Sequence, residues 1–200
     1  MNLTAQQEDA LVELINIGFG RAAAALSELT GQRVLLDVPH VTITPLDQLR
    51  QALDGFVSGD IATVHQIFGG QVAGDAMLVL SYEGAVTLVS LLMDDRPQTH
   101  RLDASDREAL TEVGNIILNT CLSTFGNMLQ SHISFAVPRL HLDSLNTLLN
   151  SLLIGADELR YTLIVFTNFR LRDSAVSGYL VIILGVASLD RLIEAVEGLG

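Results

Sequence analysis

Tryptophan is absent from the 200 residues, aromatic residues make up only 5% and cysteine occurs once, at Cys121. A lone cysteine excludes an intrachain disulfide and suggests no thiolate metal cluster. Cys121 therefore reads as a small buried hydrophobe on a helix. Basic residues are scarce as well, with 11 Lys plus Arg against 23 acids and a formal charge of −12. That balance argues against nucleic acid and against an anionic membrane surface as partners. No segment reaches the roughly 18 to 20 consecutive apolar residues of a membrane span, and the run from Val181 to Ala187 is far too short. The opening Met1-Asn-Leu-Thr-Ala-Gln-Gln-Glu8 lacks the basic-then-apolar order of a signal peptide. The expectation is a soluble cytoplasmic protein with no nucleic-acid partner and no membrane insertion. His40, His65, His100, His132 and His141 show no metal-ligand spacing, and Gly18-Phe-Gly20 lacks the third glycine of a dinucleotide fingerprint. No metal or cofactor of its own is expected.

What is present is a repeat. Asp9-Ala-Leu-Val-Glu13-Leu-Ile-Asn16 is answered by Glu108-Ala-Leu-Thr-Glu112-Val-Gly-Asn115. Glu13 and Glu112, Asn16 and Asn115, and Pro39 and Pro138 are each separated by 99 positions, so both copies read E-x2-N-x22-P. With 49% hydrophobic residues, there is ample material for a core shared by two fused halves.

The first half opens on Thr4-x-x-Gln7, a capping-box pattern, before Leu11, Ile15, Phe19, Ala22, Leu26 and Leu29 at helical spacing. A long amphipathic helix ending near Gly31 is predicted. A proline-bearing strand follows over 34–43. Asp47 to Phe56 forms a weak short helix, and 61–68 and 76–81 a hairpin turning at Gly69-Gly70. A helix over Glu83 to Met93 closes this half.

After a polar joint at Asp94 to Asp103 the cycle restarts. Ser105-x-x-Glu108 suggests another capping box, opening a helix with Leu110, Ile117, Cys121, Phe125 and Met128 on its apolar side. A second proline strand spans 133–140, a short helix Ser144 to Leu153, a hairpin Leu159 to Phe169 and Gly178 to Leu184, and a last helix Ser188 to Glu197. Gly74 and Gly178 align at an offset of 104, so about five residues have been added there. The predicted class is α+β, one domain over 1–200 made of two repeats at about 4–93 and 103–198 with a linker near 94–102. An antiparallel-rich sheet with pseudo-twofold symmetry would carry the long motif-bearing helices. Proline lacks an N–H, which puts Pro39 and Pro138 at sheet edges or bulges.

At 100° per residue the apolar positions of the first helix fall within roughly 80° of one another, and Asp9, Glu13, Asn16 and Gly20 within about 60° on the far side. Such a face is ordinarily just solvated, and Asp9 and Glu108 suit the positive end of a helix dipole. Glu13 and Glu112 each follow another acid at i+4 with no Lys or Arg at i+3 or i+4, and Asn is a poor mid-helix residue. Local stability does not explain these choices. On residue physics alone they read either as a functional site or as the trace of an old duplication.

The doubled D/S-x3-E-x2-N-x22-P pattern, whose first copy runs into Asn16-Ile-Gly-Phe-Gly20, resembles the CheC family of chemotaxis phosphatases over essentially the whole chain. The resemblance implies two-component signalling chemistry: hydrolysis of the aspartyl phosphate on a CheY-type response regulator. Asn16 and Asn115 would position water, and Glu13 and Glu112 would anchor the partner as the other half of the catalytic pairs. Asp9, Glu108, Gly20 and Asn119 would touch the partner. The only metal ion implied is the receiver's own Mg. The second copy departs from the pattern, with Glu108 in place of Asp or Ser and Asn119 where the first copy has Gly20, which favours the first site on steric grounds. The alternative is a non-catalytic adaptor that binds a response regulator or the receptor deamidase CheD.

Overall fold

The computed structural model describes residues 4–53, 59–93, 101–128, 130, 132–153, 160–171 and 173–197. Most of the predicted joint and the end of the first short helix lie outside these residues. Helix α1 spans Ala5–Thr30 and starts as expected: Gln7 N donates to Thr4 Oγ1 at 3.2 Å, and Thr4 N to Gln7 Oε1 at 2.7 Å. It stops at Gly31, whose φ of 67° is the left-handed conformation glycine adopts without penalty. Among the described helices α1 alone has the length and apolar composition for a membrane crossing, yet its apolar stripe packs on the rest of the protein. Leu11, Ile15, Phe19, Ala22 and Leu26 are buried. Leu29, expected on the same stripe, is 60% exposed because the last turn runs past the packed region.

The second motif helix, α4 (Ala104–Met128), starts differently from the prediction. Its capping box is Asp103 with Asp106, each accepting the other's backbone N–H at 2.9 Å, rather than Ser105 with Glu108. Aspartate caps at least as well as serine, and the choice moves the helix start two residues upstream. Helix α3 (Tyr82–Leu92) is capped by the Ser81 hydroxyl, which accepts from Gly84 N at 3.0 Å.

Among the described residues, seven strands build one antiparallel sheet: β1 (Val34–Pro45), β2 (Asp60–Gly70), β3 (Gly74–Ser81), β4 (Ile133–Phe135), β5 (Arg139–Ser144), β6 (Arg160–Leu171) and β7 (Ser174–Gly185). The order is β1-β6-β7-β3-β2-β4, with β5 beside β4 on β2. This order is unchanged when β1, β2 and β3 are exchanged for β4/β5, β6 and β7. At its centre Gly74 pairs with Leu184 and Leu80 with Gly178, so Met77 faces Val181, the residue 104 positions on. The residues added in the second half lie in its hairpin, where β6 and β7 have 12 residues each against 11 and 8 in β2 and β3.

Both prolines fall at the edges of the sheet, Pro39 within β1 and Pro138 between two edge strands. The register of β1 against β6 slips between Asp37 and His40, around Pro39, and Pro138 lies in the gap between β4 and β5. The predicted Gly69-Gly70 turn is instead strand, paired with Ser134 and Ile133, and the chain reverses over 71–73. Gly70 serves close approach: a Cβ there would lie 2.4 Å from the His132 carbonyl oxygen.

The sheet is covered on both faces, which explains the unbroken apolar runs of its two central strands. Ala76, Leu78, Leu80, Leu180, Ile182 and Leu184 join a core with α1, α3, α4 and α6 (Val186–Glu197). Met77, Val79, Val181 and Ile183 meet a smaller cluster under the 3-10 turn Leu46–Gln48, α2 (Leu49–Leu53) and α5 (Leu145–Leu153). Two glycines set the seats of the motif helices. A Cβ on Gly18 of α1 would lie 3.1 Å from Cα of Cys121 on α4, and one on Gly114 of α4 would lie 2.5 Å from Val64 on β2.

Cys121 is buried at this crossing, and burial pushes its thiol pKa far above the ordinary value. A thiol-specific reagent at pH 8 should therefore leave the folded protein unlabelled and react only after denaturation; fast labelling of folded protein would contradict this seat. Gly114→Ala should cost about 1–3 kcal/mol by overpacking, outweighing the helix-propensity gain of about 1 kcal/mol. A urea midpoint that rose instead would show that α4 does not rest on Val64.

Candidate functional site

The long helices present the repeated residues outward because their other sides are needed for the core. On α1, Leu14, Ile15, Gly18 and Phe19 are buried, while Asp9, Glu13, Asn16 and Gly20 are exposed. On α4, Leu110, Val113, Gly114, Ile117 and Leu118 are buried, Glu108 and Glu112 are exposed, and Asn115 and Asn119 are half-buried. The two rows ride on helices that pack directly against each other, so each acid and amide stands on a rigid base.

Among the described residues, the side chains of Glu13, Asn16 and Glu112 form no hydrogen bond or ion pair. On α1 nothing among the described residues stands within 4 Å of where a Gly20 side chain would begin, outside the helix's own backbone, so the surface one turn beyond Asn16 is open. On α4 the corresponding position is filled: Asn119 Nδ2 donates to Asn115 Oδ1 at 2.7 Å. Asn119 Oδ1 is itself buried with no partner among the described residues. Leaving a buried acceptor unmatched costs about 1–3 kcal/mol. A residue kept at that cost invites a functional explanation.

Ile17 was not singled out by the repeat argument. It is 42% exposed beside Asn16, and its counterpart Ile116 also follows the amide but is half-buried against the core. The Asn-Ile pair recurring 99 positions apart was the available signal. Pro39 and Pro138 shape the two edge strands that follow the motif helices. Of the histidines, His65 pairs with Asp75 at 2.8 Å across β2 and β3, with the His141 ring 6.2 Å away. No group of three or more His, Cys, Asp or Glu side chains converges among the described residues.

Outward pairs of acid and neutral amide, without a histidine or thiol nucleophile beside them, suit binding and positioning rather than covalent chemistry. No family model matches the chain. It is 25% identical to the CheY-P phosphatase CheC of Bacillus subtilis over 143 residues, 69% of this chain and 67% of that protein. It is 26% identical to the flagellar motor switch phosphatase FliY of the same organism, over 70% of this chain but only 37% of that longer protein. Its fold superposes on the crystal structure of Thermotoga maritima FliY with a TM-score of 0.78, covering 99% of both chains at 18% identity. Sequence and fold together support the CheC/FliY family.

Within this FliY-like fold the exposed Asn16 contributes nothing to the core, and that has a thermodynamic signature. Asn16→Ala should keep or raise stability by about 0.5 kcal/mol, since alanine is the better helix former and no bond is lost. Thermal unfolding of the variant checks this; a fall of the melting temperature by several degrees would mean that Asn16 has a structural partner.

Proposed function

We propose that this chain hydrolyses the aspartyl phosphate of a phosphorylated CheY-type receiver, using the Glu13/Asn16 and Glu112/Asn115 pairs. The observation that carries the reading is the pairing, on two packed helices, of an exposed acid without a partner among the described residues with an amide one turn on, exposed at Asn16 and half-buried at Asn115. A neutral amide cannot take a proton, but it offers a donor and an acceptor from one planar group. It can hold a water in line with the phosphorus while the phosphoryl bond to the aspartate breaks, the pre-orientation that phosphoryl transfer chiefly needs. Inorganic phosphate and a free carboxylate result, with the water's proton ending on phosphate.

The acids have a different part. A carboxylate one turn before the amide would pair with the receiver's active-site lysine, a charge-assisted contact that fixes the docked orientation. The receiver brings its own metal ion to neutralise phosphoryl charge. Asp9, Glu108, Gly20 and Asn119 extend the same rows and would border the docked partner, and the setting is cytoplasmic. Both pairs are retained in this proposal, with the α1 pair the more open.

The test is phosphate release from a phosphorylated CheY-type receiver. The parent protein should accelerate it, and Asn16→Ala with Asn115→Ala should remove that acceleration by about 10²-fold or more, the scale of losing a positioned transition-state contact. Receiver binding should persist in that double variant and weaken in Glu13→Ala with Glu112→Ala. Binding of the receiver by the parent without any acceleration would leave the adaptor reading instead.

A further inference from the structure

The two motif helices differ one turn beyond the amide, and the difference is chemical rather than only steric. On α1 the position is Gly20 and Asn16 stands unbonded. On α4 it is Asn119, whose N–H is committed to Asn115 Oδ1. A terminal amide torsion is broad and roughly two-fold, so an unbonded Asn samples both orientations of its oxygen and nitrogen. Asn115 does not have that freedom, because its oxygen accepts from Asn119 while both of its N–H donors remain uncommitted among the described residues. Asn119 Oδ1 is enclosed and unpartnered, so Asn119 acts on its neighbour as a donor.

We propose that Asn119 is a positioning residue that locks the Asn115 amide with its N–H groups presented outward, so that the α4 site is pre-set and the α1 site is not. The proposal rests on the reading of Asn115 as the water-positioning amide. A pre-set group loses less orientational freedom as the reaction proceeds. Asn119 therefore acts on turnover at α4 beyond any contact it makes with the receiver, and the two sites are not copies of each other in mechanism. Placing Asn at position 20 should transfer the property, since the space beside α1 is open.

Side-chain amide NMR on the full-length 15N-labelled protein, before any receiver is added, tests the positioning. The Asn115 NH2 signal, assigned by its loss in Asn115→Ala, should show a rigid heteronuclear NOE and that of Asn16 a mobile one. Asn119→Ala should make Asn115 as mobile as Asn16, and Gly20→Asn should make Asn16 rigid. Phosphate release with the α4 site isolated by Asn16→Ala tests the consequence. Adding Asn119→Ala should lower kcat about three- to tenfold, a larger factor than any rise in KM, the scale of a misoriented group. Asn119→Asp, of the same shape but able only to accept at neutral pH, should lower kcat at least as much by turning the Asn115 amide over.

Equal mobility of Asn115 and Asn16 in the parent protein would overturn the proposal, as would an unchanged kcat in Asn119→Ala. Absence of any phosphate release by the parent would refute the phosphatase reading instead, and the NMR comparison would still decide whether Asn119 holds Asn115.

Discussion

The close crossing of α1 and α4 at Gly18 and Cys121 is the contact on which the arrangement of the exposed rows depends. Any side chain at Gly18 would press on the backbone of Cys121, and Cys121 contributes only a small neutral thiol held in its protonated form by burial. Two small groups let two long helices touch along their apolar stripes, and Gly114 lets the second of them settle onto β2. The direction in which each amide points is then set by packing that lies on the opposite side of the helix. Rigidity at the surface is thus produced in the core.

Much of this fold was readable in the chain because its signals are local. Thr4 with Gln7, Gly31 as a terminator, the apolar, β-branched runs of the hairpins and the helical stripe of α1 up to Leu26 each act over a few residues, and the protein uses them as expected. Pro39 and Pro138 even located the sheet edges, since a residue without an N–H cannot serve an inner strand. Strand order escaped because it depends on which apolar faces meet across long separations, as where β3 pairs with β7. Gly69 and Gly70 misled for a related reason: they answer to the approach of β4, sixty residues later in the chain. Asp103 and Asp106 were passed over because Ser105 and Glu108 offered the same pattern two residues further on.

The candidate site was legible for the opposite reason, through residues that local physics does not favour. Paired acids at i+4 and mid-helix asparagines weaken a helix, and finding them twice at one spacing marked them. Burial could not be read the same way. Nothing in the repeat distinguishes the exposed Asn16 from the half-buried Asn115, or reveals that Asn119 reaches back to its neighbour. An i, i+4 pair of asparagines is compatible with such a bond, but the spacing alone does not give its direction.

The placement of a proline at each edge of the sheet has a bearing on how molecules of this protein meet one another. A sheet of paired strands ends in two rows of unmatched backbone groups, and an unbroken row is a template on which a second copy can continue the sheet. Here one edge carries a register slip at Pro39 and the other is divided into two short strands by Pro138. Neither offers a long straight ladder. The same two residues that end the repeated motif therefore also discourage stacking of copies edge to edge.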